Sequence, residues 1–308
     1  MEIKFKTFTE AIESKFKAYP DDIVYEYFFD DGKTSIKLTY SELEKKVKAL
    51  ASVLQSKKLY GKRALLLYAP SLDFIVSFLA CLFSGVIAVP AYPPEIQRIE
   101  HTLKRIKSII LDSQTSIILT SEDLYSQAQI LISKIPNTGL DKIEWLSSDK
   151  VDTNLYENWF FPDINEKTTA FLQYTSGSTS NPKGVIIDQT NILYNEEMIK
   201  IALDNEERNS TVVCWVPFYH DLGLIGHLLQ GLYIGGKCVI MSPLAFLKNP
   251  YMWLKLMSDN KNVTSAGPNF SFELCLKKIK PELLETLDLS NIKNLYNGAE
   301  PINHKTVT

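Results

Sequence analysis

Tyr174-Thr175-Ser176-Gly177-Ser178-Thr179-Ser180-Asn181-Pro182-Lys183-Gly184 packs hydroxyl side chains, two glycines and one lysine between two apolar runs. Phe171-Leu172 leads in as a short strand and Val185-Ile-Ile187 leads out as another, so the stretch reads as strand, loop, strand. A loop of this composition suits a polyphosphate. Gly177 lets backbone N–H groups turn toward an anion, Thr175, Ser176, Ser178 and Thr179 add hydroxyl donors, and Lys183 supplies a point charge. A P-loop needs Gly-x-x-x-x-Gly-Lys followed by Ser or Thr and then a helix. Counted from Gly177, Pro182 stands where the second glycine belongs, Gly184 stands where the magnesium-binding hydroxyl belongs, and a strand follows. The P-loop reading fails.

Working outward, the chain alternates between strand and helix. Thr7 with Glu10, and Thr39 with Glu42, have the spacing of capping boxes. Phe8, Ile12 and Phe16 mark the first helix, and Leu43, Val47, Leu50, Ala51 and Leu54 mark the second. Strands are expected at 64–68, 86–89, 116–120 and 143–146, with helices at 72–83, 99–111 and 121–132. A polar stretch precedes the quoted loop, and a helix begins near Thr190. A second series then places strands at 211–216, 237–241, 263–265 and 292–296, with helices at 224–232 and near 250–257. The expected fold class is α/β, two mostly parallel-sheet lobes with flanking helices, divided approximately as 60–207 and 1–59 plus 208–308. The sequence shows no internal repeat.

At 308 residues and 45% hydrophobic content, the chain can bury a large core. A net charge of −3 gives no basic field for nucleic acid. Residues 74–89 are strongly apolar, but Ser77, Ser84 and Gly85 interrupt them, and a bilayer needs about 20 apolar residues. A buried helix ending at Gly85 and a strand after it explain the run, so no membrane span is expected. Cys81, Cys214, Cys238 and Cys275 have neither metal nor redox spacing and read as buried free thiols of a reducing compartment. The four histidines form no zinc motif, and no metal ligand set is expected. The N-terminal residues lack a signal-peptide core, which points to the cytoplasm.

Three further segments carry candidate chemistry. Trp215-Val-Pro-Phe-Tyr219-His220-Asp221-Leu-Gly223-Leu-Ile-Gly226 puts a histidine and a carboxylate into an otherwise apolar, glycine-marked turn after a strand, where burial without partners is costly. Ser265-Ala-Gly-Pro268-Asn269-Phe270 is a turn before an apolar helix, and Asn297-Gly298-Ala299-Glu300-Pro-Ile302 exits a strand. Val89-Pro-Ala-Tyr-Pro-Pro94 is a proline-stiffened connection.

The quoted loop closely resembles the phosphate loop of the adenylate-forming enzymes: acyl-CoA synthetases, peptide-synthetase adenylation domains, luciferases and fatty acyl-AMP ligases. Ser180 departs from the glycine usual there. Segments 89–94, 215–226 and 265–275 resemble the fatty acyl-AMP ligases in particular. The resemblance covers the chain and implies the front part of a large N-terminal domain, with the phosphate loop at a cleft between two sheet lobes. It implies that Thr175, Ser176, Gly177, Ser178, Thr179 and Lys183 hold the phosphates of ATP and that Gly298, Ala299 and Glu300 approach adenine. Lys183, Thr179 and His220 would be catalytic. Trp215, Tyr219, His220, Asp221, Gly226, Pro268 and Asn269 would line the substrate site, with Asp221 orienting His220 and Gly223 and Gly226 giving room for an alkyl chain. The implied partners are a fatty acid and the phosphopantetheine thiol of an acyl carrier protein. The family's adenine-stacking aromatic, ribose-binding aspartate, magnesium-binding glutamate and mobile C-terminal domain have no counterpart up to Thr308, so the Mg2+ ligand is expected downstream. A fatty acyl-CoA ligase shares the first half-reaction, and a noncatalytic nucleotide- or acyl-binding fragment is the reading from another class. The 308 residues alone are expected not to form acyl-AMP. Fatty-acid-dependent pyrophosphate exchange by the purified chain would contradict that.

Overall fold

The computed structural model describes residues 3–93, 99–134, 140–175 and 182–307. The chain divides into two compact units, Met1–Ala11 with Glu42–Leu193, and Ile12–Ser41 with Tyr194–Thr308. Helix α1 (Phe8–Ala18) starts at the expected capping box, where Glu10 N donates to Thr7 Oγ1 at 3.1 Å and Thr7 N donates to the Glu10 carboxylate at 3.3 Å. Before α2 (Tyr40–Ser56) the chain forms a hairpin that the sequence reading does not contain, β1 (Ile23–Phe28) and β2 (Ser35–Thr39). The signal for it lies in the β-branched and aromatic run from Ile23 and in Asp31-Gly32, with Gly32 at φ +66° in the turn.

The sheet of the first unit holds β3 (Arg63–Leu67), β4 (Ile87–Ala91), β5 (Ile117–Thr120), β6 (Glu144–Ser147), β7 (Thr169–Thr175) and β8 (Lys183–Asp188), in the order β6-β5-β3-β4-β7-β8. Only β8 runs antiparallel to its neighbour. Helices α3 (Leu72–Leu82), α4 (Ile99–Ser113) and α5 (Glu122–Lys134) supply the crossovers. Every residue of α3 except Asp73 is buried, so its composition is apolar all round. Among the described residues no helix is long and apolar enough to cross a membrane.

After α3 the chain closes with Gly85 at φ +69°, where Val86 N donates to Cys81 O at 2.9 Å and Gly85 N to Leu82 O at 3.3 Å. That Schellman pattern caps the helix carbonyls and turns the chain into β4. Cys81, Cys214 and Cys238 are buried, whereas Cys275 is only half-buried; all four are free. Pro94 of the proline-stiffened connection lies outside the described residues.

Helix α6 (Gln189–Ala202) leads to the second sheet: β9 (Thr211–Cys214), β10 (Lys237–Met241), β11 (Val263–Gly267) and β12 (Ile292–Asn297) join the first hairpin in the order β12-β11-β9-β10-β1-β2. Only β2 is antiparallel. The single helix expected from Leu224 instead begins as α7 (Asp221–Gly223), widens to a π-helix over Leu224–Leu229 and ends as α8 (Gln230–Tyr233). Helices α9 (Pro243–Lys248) and α10 (Tyr251–Ser258) precede β11, and α11 (Asn269–Lys278) follows it.

The two sheet orders correspond strand for strand. In each, two crossover-linked strands lie at the centre, two more extend one side, and a hairpin from elsewhere in the chain completes the other. Hairpin β1–β2 precedes the strands of the first sheet yet pairs with β10, and β7–β8 follows them yet pairs with β4. The structure thus contains an internal topological repeat that has no counterpart as a repeat in the sequence. A parallel α/β topology constrains only apolar patterning and chain direction, and many unrelated side chains meet that demand.

A Cβ placed on Gly85 would lie 2.4 Å from the Tyr60 ring, at a positive φ that L-residues avoid. Gly85→Ala is expected to cost about 1 to 3 kcal/mol from backbone strain alone, with the Tyr60 clash added. Urea unfolding measures it, and an unchanged midpoint would refute the account.

Candidate active site

Strands buried on both faces offer polar chemistry only at their ends, and in open parallel sheets ligands collect outside the carboxyl ends where the winding reverses. In the second unit, β9 connects to β10 on one side while β11 lies on its other side, so the reversal falls between β9 and β11. The carboxyl ends of β9, β11 and β12 release segments 215–226, 268–275 and 298–302. Three candidate segments separated widely in sequence therefore emerge beside one another.

Ser265 pairs with Val213, and Gly267 with Asn297, which sets Trp215, Gly267 and Asn297 along one row across the strand ends. The indole of Trp215 is buried, stacked on Phe246 at 3.8 Å between centroids and meeting Trp253 and Phe270 edge-on at 6.0 and 5.9 Å. Gly267 permits this, because a Cβ there would stand 2.4 Å from Ser271 Oγ and 3.3 Å from the indole. Trp253 donates to Ser265 Oγ at 2.9 Å, yet Trp215 Nε1 and Asn297 Oδ1 are buried with no partner. An unpaired donor and an unpaired acceptor at a strand end mark a place where a ligand can satisfy both.

His220 and Asp221 form a contact pair, Nδ1 to Oδ1, at 2.7 Å. Leu222 N lies 2.7 Å from the same carboxylate oxygen and 3.3 Å from Nδ1. The shorter contact is to the carboxylate, which leaves Nδ1–H to donate to Asp221 and keeps His220 Nε2 uncommitted. The Asp221 hydrogen bond holds the histidine pKa above its ordinary value, and the same bond holds the carboxylate below its own. Tyr219 and Pro268 are half-buried beside these turns.

Gly223 and Gly226 differ in what surrounds them. A Cβ on Gly223 would meet Pro217 O at 2.2 Å, so this glycine lets the α7 backbone press on the preceding turn and offers no room to an alkyl chain. At Gly226 the nearest atoms are Leu222 Cδ1 at 3.2 Å and the Tyr296 hydroxyl at 3.4 Å.

Asn269 is buried and used on all sides by the protein: it donates to Glu273 and Thr306 at 3.1 Å each, and accepts from Asn297 Nδ2 at 3.2 Å and Asn303 N at 3.0 Å. Glu300 Oε1 accepts from Phe270 N at 2.6 Å, placing a carboxylate on the first turn of α11. Ala299 is held at φ +69°, and around Gly298 a Cβ would meet nothing within 4 Å, an open approach.

In the first unit Thr175 pairs with Lys183 at the mouth of the β7–β8 hairpin, and Lys183 is exposed. Tyr174 donates to Asp112 Oδ2 at 2.5 Å, and Gly184 keeps clear of its ring, where a Cβ would lie 3.0 Å away. Ser176, Gly177, Ser178 and Thr179 lie outside the described residues. The sequence reading missed Phe246, Trp253, His227 and Tyr296. Only His227 had a local signal, a polar residue inside Leu224-Ile-Gly-His-Leu-Leu229. Among the described residues no group of three or more His, Cys, Asp or Glu side chains is placed to hold a metal ion.

Residues 12–308 match the AMP-binding enzyme family, and the chain belongs to it. It is similar to the medium-chain-fatty-acid–acyl-carrier-protein ligase JamA of Moorena producens (strain JHB), 42% identical over 281 residues, covering 91% of this chain and 47% of JamA. It is also similar to the ligase of the same description TtuA from Teredinibacter turnerae, 31% identical over 94% of this chain and 50% of TtuA. The solved fatty acyl-adenylate ligase from L. pneumophila, in complex with acyl adenylate and pyrophosphate, matches with a TM-score of 0.88 and 33% identity, over 98% of this chain and 51% of that one. The chain spans about half the length of the curated relatives it matches.

Asp221→Asn should lower the His220 pKa toward the ordinary value of about 6.5, as read by NMR titration. Because the histidine value is raised and the carboxylate value lowered, the pair stabilises the fold between them. That contribution fades as pH falls through the Asp221 pKa and as it rises through the His220 pKa. A His220 titration identical in the variant would overturn the pairing.

Proposed function

We propose that the protein containing this chain activates a fatty acid with ATP, forming fatty acyl-AMP and pyrophosphate, and passes the acyl group to the phosphopantetheine thiol of an acyl carrier protein. The observation that carries the reading is the gathering of segments 215–226, 268–275 and 298–302 at adjoining carboxyl ends of parallel strands. The JamA and TtuA names support the fatty acid and the carrier, and the adenylate and pyrophosphate bound in the L. pneumophila enzyme support the first half-reaction.

In that step a carboxylate oxygen attacks the α-phosphorus in line, the bond to the bridging oxygen breaks, and pyrophosphate leaves with both electrons. Positioning and charge neutralisation supply the rate. Thr175, Ser176, Gly177, Ser178, Thr179 and Lys183 hold the departing pyrophosphate. Exposed Lys183, at the hairpin mouth, is available for that charge. His220, biased toward its protonated form by Asp221, presents Nε2 to the developing charge at the α-phosphate. Gly298 offers an open approach to adenine, Ala299 and Glu300 shape that turn, and Trp215, Tyr219, Gly226, Pro268 and Asn269 bound the acyl site. Mg2+ would neutralise phosphate charge when bound. Among the described residues no group of three or more His, Cys, Asp or Glu side chains is placed to hold it.

Lys183→Ala and Thr179→Ala in the intact protein should each slow fatty-acid-dependent pyrophosphate exchange by about 2 to 4 kcal/mol, with the fold retained. Offered fatty acid and ATP with CoA in one tube and carrier protein in another, the intact protein should load the carrier and accumulate acyl-AMP beside CoA. Efficient acyl-CoA formation, read by mass spectrometry, would replace the proposal with a CoA ligase. Wild-type exchange in a folded double variant would remove the phosphate role of the loop.

A further inference from the structure

His227 lies within the π-helical Leu224–Leu229, and it is completely buried. Side chains on a helix lean toward its N-terminus, which lays this imidazole over the turn that carries His220 and Asp221. Its Nδ1 is 2.7 Å from the carbonyl oxygen of Leu222. A carbonyl oxygen only accepts, so Nδ1 carries the proton and Nε2 is left as a lone pair, buried with no partner. Burial keeps the ring neutral, pushing its pKa down to about 4. The ring of Tyr296 lies nearby, 9° from parallel at 6.3 Å between centroids. An orphaned buried acceptor opposes stability, so packing alone would favour an apolar side chain at this position. What the histidine adds is the Nδ1–H donor.

We propose that His227 is a positioning residue that sets the His220–Asp221 turn through the peptide of Leu222. Leu222 is held at both ends: its N–H donates to Asp221 Oδ1 at 2.7 Å, and its carbonyl accepts from His227 at 2.7 Å. Leu224 N donates to His220 O at 2.8 Å, closing the same turn, and Gly223 presses on Pro217 O beneath it. A fixed Leu222 fixes the Asp221 carboxylate, and that carboxylate fixes the imidazole of His220 with Nε2 uncommitted. The catalytic consequence rests on the role proposed for His220. The positioning itself does not.

The first test uses the 308-residue chain and long-range nitrogen–proton NMR of its histidines. His227 should show a neutral, Nδ1-protonated ring throughout about pH 5 to 8, and an Nε2-protonated ring would overturn the proposal without any variant. In His227→Leu the His220 midpoint should fall toward about 6.5 as the Asp221 contact loosens. His227→Asn, whose amide N–H replaces the Nδ1 donor, should keep the wild-type midpoint and remains informative if the leucine variant does not fold. An unchanged His220 midpoint in a folded leucine variant, or a lowered one in the asparagine variant, would also overturn the proposal. In the intact protein His227→Leu should lower kcat on the order of 10- to 100-fold with the KM for ATP unchanged, and His227→Asn should restore it; a loss through KM would count against positioning. Full adenylation by His220→Ala would instead remove the functional reading of the site while the NMR result stood.

Discussion

A parallel strand covered on both faces can carry only apolar side chains or polar ones satisfied inside the protein, as Thr264 and Ser265 are on β11, and this constraint organises both sheets. The burial of β5, β9 and β11 is complete, residue after residue. Polar groups not satisfied within the sheet gather at the strand ends, and the winding reverses between β9 and β11. Trp215, the His220–Asp221 turn, Pro268-Asn269 and Gly298-Ala299-Glu300 all begin where a strand stops. Their arrangement is a consequence of the sheet more than of any one motif.

The exchanged hairpins show how the chain ties each sheet together. A four-strand parallel unit leaves β4 or β10 as an exposed edge, and an open edge invites pairing with other chains. Here β7–β8 covers one and β1–β2 the other, each brought from a distant part of the sequence. The candidate phosphate segment is the connection of one of these hairpins. Its mouth is anchored by the Thr175–Lys183 pair and by Tyr174, whose hydroxyl reaches Asp112 on α4.

Polar groups near the strand ends of the second unit fall into two kinds. Asn269 spends its hydrogen-bonding capacity on the protein and Glu300 accepts from Phe270 N, so both join the turn after β11 to the segment after β12. Trp215 Nε1 and Asn297 Oδ1 remain unpaired although buried. The first kind builds the wall, and the second leaves demands that a bound molecule can meet. His227 belongs to neither, since one ring nitrogen is engaged by Leu222 and the other is left over.

Local physics was sufficient for much of this. Apolar periodicity, capping pairs and glycine punctuation are properties of adjacent residues, so most strands and helices, the helix stop at Gly85 and the strand-loop-strand around Tyr174 were legible from the chain alone. The residue types at the candidate site were legible too, because a histidine, a carboxylate or a hydroxyl run stands out against apolar surroundings. Hairpin β1–β2 was overlooked despite its Asp-Gly turn, because the capping boxes on either side gave the stronger local signal. Other features could not have been read at all. Strand order, the topological repeat and the exchange of hairpins depend on pairings between residues far apart in the chain, such as Tyr25 with Cys238 and Ala88 with Phe171. The same holds for the Trp215–Phe246–Trp253 wall, the occupation of Asn269 by four partners, the closing of space at Gly223 by Pro217 and the grip of His227 on Leu222. Each is decided by which groups meet in three dimensions, and burial makes those meetings count by removing the water that would otherwise satisfy every polar atom equally.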